Sequence, residues 1–358
     1  MNTLTLGLAI LGGLVLAGVV AHSAWTQRRN APRVAQPEPQ PIEPAAKDRS
    51  EPGFDAEGVE QPLASKLNND FESNLIPLGS NWVVDKKPSL DALIDAMVQI
   101  TLDEPVSGEA ALAALPATRR VGSKSFSIEG LNLNGEWESP RAGERYSAFQ
   151  AGVQLASRTG ALNEIEFSEF VQKAQAFADV FGGEAQFPEM HDEVLRAREL
   201  DQFASSHDAQ LGFTVRAKNV AWSTGYVQQH AARQGFVAGA IAGRMVLPAS
   251  VQGLPPILSL NFDTQAALSD DPEQSALRSL DLALDVPQVD RGEQPYPRLR
   301  DVAIALAASM DGMITDAQGR MITRDAMDAI GSELEQLYDT LESRDLAAGS
   351  AQARRLFS

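Results

Sequence analysis

The sequence predicts an α+β fold: an N-terminal transmembrane helix, a disordered linker, then two tandem units of mainly antiparallel sheet with helices on one face. Three observations predict it. Residues 3–25 are uncharged and largely apolar, residues 31–62 are dense in proline, and beyond residue 88 one order of strand and helix signals occurs twice. The implied division is an anchor with a short N-terminus over 1–26, a Pro/Gln/Glu-rich linker over 27–87, a first α+β unit over 88–205, a second over 206–345 and a disordered tail over 346–358.

The run TLTLGLAILGGLVLAGVVAHSAW has the length an α-helix needs to cross roughly 30 Å of hydrocarbon. Arg28, Arg29 and Arg33 follow it, so the positive-inside rule implies a single-pass protein with Met1 outside and the C-terminal domains in the cytoplasm. A cleaved signal peptide is the alternative, because Ala21, Ser23 and Ala24 imitate a processing site. Against it, no Lys or Arg precedes the run, which exceeds the ~7–15 residues of a signal core. Ala9, Gly13, Ala17 and Ala21 recur every four residues, a stripe suited to self-association of the helix within the lipid bilayer. After it, prolines at 32, 37, 39, 41, 44, 52 and 62 predict a stiff spacer of ~3.1 Å per residue, with a reach on the order of 100 Å. Residues 63–87 are more apolar and carry no assignment.

In the first unit, residues 93–102 alternate with Ile94, Ala96, Val98, Ile100 and Leu102 on one side, a half-buried strand. Ser107 caps a short helix, strands follow around SKSFSIEGL and NGEWES, and a longer strand runs over 146–156. Ser168 is read as the cap of a helix whose Phe170, Ala174, Phe177 and Phe181 share a face, and a last helix spans 188–203. The second unit repeats the order. A strand covers 211–217, a helix STGYVQQHAARQG, strands AIAGRMVL, PILSLNF and SLDLALDVP, a helix 298–311, the turn-like GMITDAQGRMIT and a helix 324–342.

Strand parity leaves one sheet face open. With Leu280, Leu282, Leu284, Leu258 and Leu260 inward, Asp281, Ala283, Ser259, Asn261 and the following Asp263 point outward. Ile241 and Met245 are assigned outward too. Such a shallow face suits a helix or extended peptide, and its carboxylates suit basic side chains.

Composition excludes much else. Lys and Arg number 30 against 48 Asp and Glu, a net charge of −18, which opposes binding to nucleic-acid phosphates. Without cysteine there is no disulfide, thiol nucleophile or thiolate metal site, and His22, His191, His207 and His230 are too scattered for a histidine metal centre. No nucleophile elbow, Walker loop, dinucleotide fingerprint or His-Glu-x-x-His pair occurs. The chain is read as a non-enzyme, with no catalytic residue, metal or cofactor.

The order of LDLALDVP, a helix ending at Met310-Asp311-Gly312, ITDAQGRMITRDAM and a charged final helix, with QGFVAGAIAG earlier, resembles the C-terminal domain of the ZipA family over residues 209–343. That family binds the division protein FtsZ. The resemblance implies a cell-division adaptor of the cell inner membrane, N-terminus periplasmic, that holds the FtsZ C-terminal tail on the open face, at Gly212, Thr214, Ile241, Asp263, Asp281 and Ala283, and tethers or cross-links its filaments at the division ring. Asp263 and Ala283 stand where the family has a large Met and a Phe, a loss of ~1.5–3 kcal/mol each if both were buried in the complex. A second copy, over 88–205, also departs from the family. The alternative readings are an envelope binding or structural protein with a different partner, membrane-anchored or secreted, and a tethered adaptor for another division or cell-wall factor.

Overall fold

The computed structural model describes residues 32–35, 90–268 and 276–358. Residues 3–25, where the membrane helix and its self-association stripe were expected, lie outside the described residues, as do 27–31 and 36–87 of the linker. Among the described residues no helix is long and apolar enough to cross a membrane.

The first region runs β1 (Asp95–Ser107), α1 (Gly108–Ala114), β2 (Arg120–Val121), β3 (Lys124–Asn132), β4 (Trp137–Glu138), β5 (Arg145–Gln154), a ribbon of β6 (Ala156–Ser157) and β7 (Gly160–Ala161), α2 (Glu164–Val180), β8 (Glu184–Gln186) and α3 (Met190–His207). The second runs β9 (Gln210–Ala217), α4 (Thr224–Arg233), β10 (Val237–Ala238), β11 (Arg244–Leu247), β12 (Leu258–Asn261), the one-turn α5 (Thr264–Ala267), β13 (Ser279–Asp285), α6 (Pro295–Met310), β14 (Gly312–Thr315), α7 (Arg324–Glu342) and α8 (Ala351–Leu356). The sheet orders are β2–β3–β5–β1–β8 and β10–β11–β12–β13–β9–β14. In each, the opening strand lies between the strand that precedes the long helix and the strand that follows it.

The elements follow from local chemistry. Along β1, Ala96, Val98 and Ile100 are buried while Gln99 and Thr101 are exposed, the period of a strand covered on one face. Ser107 caps α1 through the Ala110 N–H at 3.3 Å. Helix α2 starts a turn before Ser168. The Asn163 side chain accepts the Ile165 and Glu166 N–H groups, and Glu166 returns to the Asn163 N–H, a reciprocal cap. Ser168 instead bonds back to the Glu164 carbonyl at 2.8 Å, as an interior helical serine does. Helix α6 begins at Pro295, three residues before the expected start, because proline at the first position needs no N–H partner.

Two expectations are corrected. The two regions are not separate tandem modules; both belong to one compact unit with residues 32–35. Arg158, between β6 and β7, pairs with Asp208 at 2.6 Å and with Asp285 at 2.7 Å, and Leu200 of α3 packs against both apolar cores. Nor are residues 346–358 a disordered tail: Leu346, Ala353, Leu356 and Phe357 are buried. Helix α8 sits against both regions. Arg355 forks onto Asp95 and its carbonyl accepts from Gln154, while the Phe357 carbonyl accepts from Gln288 at 2.7 Å.

On α4, His230 packs its ring against Tyr226 and sets Nδ1 3.1 Å from Ser309 Oγ on α6. Burial, then the positive charges of Arg233 and Arg33, hold its pKa below the ordinary value near 6.5. The unfolded chain therefore takes up the proton first, and this contribution to stability is full above about pH 6.5 and declines as pH falls below it. The melting temperature of the His230→Gln chain is expected to fall less than that of the parent between pH 7.5 and 5.5. Equal falls would remove His230 as the cause.

Candidate polypeptide-binding face

The second sheet buries one side and leaves the other open. Leu280, Leu282 and Leu284 of β13, Leu258 and Leu260 of β12 and Phe213 and Val215 of β9 point into the core, where α6 packs on β9, β13 and β14. Their alternates face outward and the ladder sets them in rows. Ser259 lies opposite Ala283, and Ala283 opposite Gly212; one register position on, Asn261 lies opposite Asp281, and Asp281 opposite Thr214. Six of the nine residues expected at the site thus share one surface. The small-residue row is a flat floor, since a Cβ built at Gly212 would meet only the Leu282 carbonyl, at 3.5 Å. In the polar row, Thr214 Oγ1 donates to Asp281 Oδ1 at 2.6 Å. Asp263 is exposed beyond the end of β12, where its carboxylate accepts the Gln265 N–H at 2.8 Å and caps α5.

Two expected residues stand elsewhere. Met245 is 6 % exposed and faces inward opposite Leu260, so its outward assignment is corrected. Both parities of that strand are apolar, which leaves alternation without a sign. Ile241 is exposed but belongs to the turn before β11, where its carbonyl accepts the Arg244 N–H at 3.1 Å.

The outward residues of β11 are Arg244 and Val246, opposite Asn261 and Ser259, and sequence reasoning missed both. The charge on Arg244 was the available signal, because a guanidinium seldom points into a core and so fixes the parity of its strand. With Arg216 also exposed on β9, the face carries both signs of charge and not the acidic character expected. At its β11 edge it runs into a groove of about 610 Å3 lined by Ile241, Arg244, Val246, Val251 and Leu254. Ile241 and Val251 there are 58 % and 60 % exposed.

The outer face of the first sheet is partly covered among the described residues, with Gln99 and Thr101 exposed at the β1 side. Its outward Glu129, Gln150 and Gln154 are buried, the Leu90 N–H donates to Glu129 Oε1 at 3.2 Å, and the Leu90 side chain lies where a Cβ on Gly152 would go.

No family model and no curated protein matches the chain. The expectation of a single-pass inner-membrane adaptor, with the lipid bilayer and the FtsZ tail as its partners, is corrected at this point. No membrane-length apolar helix occurs among the described residues, and no family match or curated relative supports the FtsZ partnership.

Proposed function

We propose that this chain is a non-catalytic polypeptide-binding protein whose ligand lies on the outer face of the second sheet. One observation carries the reading: the row Val246, Ser259, Ala283 and Gly212 is an uncovered floor of small side chains, bordered by a polar row and continued by the groove at β11. A backbone can approach such a floor closely. Arg244, Asn261 and Asp281 then supply donors and acceptors that fix its register, and Ile241, Val251 and Leu254 supply apolar contacts at one end. The likeness of residues 209–343 to the ZipA-type domain belongs to the same proposal, as kinship of fold, and rests on the order and spacing of elements and on the short strings quoted above.

The test is selection of peptides from a displayed random library on the full chain. Enriched peptides are expected to bind Ala283→Trp at least tenfold more weakly, while the melting temperature of that outward variant changes little. Unchanged binding to Ala283→Trp, or no enrichment, would overturn the proposal.

A further inference from the structure

Residues 32–35 lie against the second region, although the sequence assigned them to a free linker. Arg33 forms a parallel bridge with Trp222: its N–H donates to the Ala221 carbonyl at 2.7 Å and its carbonyl accepts the Ser223 N–H at 2.8 Å. On its other side Trp222 pairs with Leu277, so the Arg33 segment extends a small ladder by one strand. The side chain is read as well. Arg33 Nη2 meets Asp311 Oδ2 at 3.0 Å and Nη1 donates to the Met310 carbonyl at 3.3 Å. Met310 is the last residue of α6, whose aligned peptide dipoles concentrate negative potential at that end. Asp311 adds a full charge there and is held in a left-handed conformation that lets its N–H close back onto the Ala307 carbonyl.

Four features therefore converge on one extended residue: an edge carbonyl, an edge N–H, a helix C-terminus and a carboxylate. We infer that the Ala221–Ser223 edge with Met310 and Asp311 is a recognition site for an extended arginine-bearing peptide, and that residues 32–35 are its internal ligand. Backbone pairing accepts any extended segment, whereas the helix end and Asp311 together select a guanidinium. A lysine has one compact charge and no planar fork with which to span two acceptors. The internal segment belongs to the same chain as the site, so its binding is intramolecular. An outside peptide has to overcome that competition, so the site is closed at rest and opens when residues 32–35 are displaced. The outer-face proposal is independent of this one, because no residue is shared.

The probe is a fluorescent peptide of residues 30–37 (NAPRVAQP), titrated against the full chain by anisotropy. Arg33→Glu removes the internal ligand and is expected to bind the probe at least tenfold more tightly than the parent does. Adding Asp311→Asn, which tolerates the same left-handed backbone, should take back about tenfold. A probe with lysine in place of its arginine should weaken binding to Arg33→Glu similarly, with no change to the protein. Trypsin gives a second reading: the bond after Arg33 should be cut more slowly than those after Arg28 and Arg29 in the parent, and that protection should be lost in Asp311→Asn. Equal probe affinity for parent and Arg33→Glu, no binding to Arg33→Glu, or indifference to lysine would each overturn the inference.

Discussion

Replacing Arg355 by methionine is expected to cost about 3–5 kcal/mol of folding stability, the usual penalty for leaving a buried charge without its partner. The Asp95 side chain is fully buried, and Arg355 reaches it with two hydrogen bonds, Nη2 to Oδ1 at 2.6 Å and Nη1 to Oδ2 at 2.9 Å. The Asp91 N–H also donates to that carboxylate, at 2.9 Å from Oδ2. Burial raises the Asp95 pKa above its ordinary 3.8 even with Arg355 present, and loss of the guanidinium raises it further. Because the folded value lies above the unfolded one, the folded state holds the extra proton between them, and stability falls as pH rises through that interval. The penalty in Arg355→Met should therefore be larger at pH 7 than at pH 5 in urea denaturation. Asp95→Asn placed on Arg355→Met should recover most of the loss, since a neutral amide no longer needs the cation. A loss below about 1 kcal/mol at pH 7 would mean that water reaches Asp95 once the arginine is gone.

Phe149→Ala should destabilise by about 3–5 kcal/mol, as truncation of a fully buried aromatic does. Phe149 lies on β5, between β3 and β1, and is completely buried. Its ring meets Phe177 edge-on at 5.0 Å, Tyr146 at 5.7 Å and Phe181 at 5.9 Å, so one substitution removes three aromatic contacts as well as the buried area. The cavity would lie between the sheet and α2, both regular elements with little freedom to collapse into it. Phe181→Ala, at a half-buried position beside the same cluster, should cost distinctly less. If the two variants have equal urea midpoints, the packing centre of the first region lies elsewhere.

Elements whose sequence states a period were legible. Strand β13 alternates leucine with polar or small residues without a break, and the expected parity is the observed one. Helix α7 has a threonine cap and an apolar stripe, and its bounds are those expected. Where local sequence permits two answers, the three-dimensional partner decides. Met245 and Val246 are both apolar, and only the pairing with Leu260 and Ser259 shows which is inside. Asn163 and Ser168 are both reasonable caps, and the reciprocal bond to Glu166 selects the first. Residues 346–358 were illegible for another reason. A six-residue helix is too short to show periodicity, and what holds it is Asp95 and Gln154, some 200 residues or more away in sequence. The candidate face was legible in the same proportion: the rows on β9, β12 and β13 follow from alternation, while β11 and the docking of Arg33 depend on contacts no local pattern encodes.

The bond between Asp95 and Arg355 joins positions 260 residues apart. At the ~5–20 residues per second of ribosomal synthesis, roughly 13–50 s pass between the birth of the carboxylate and the arrival of its guanidinium. During that interval Asp95 is without its guanidinium, so the first region reaches its full stability only when the end of the chain is made. A nascent chain stalled before Arg355 should accordingly stay open to protease across β1, however much of its sequence has already emerged.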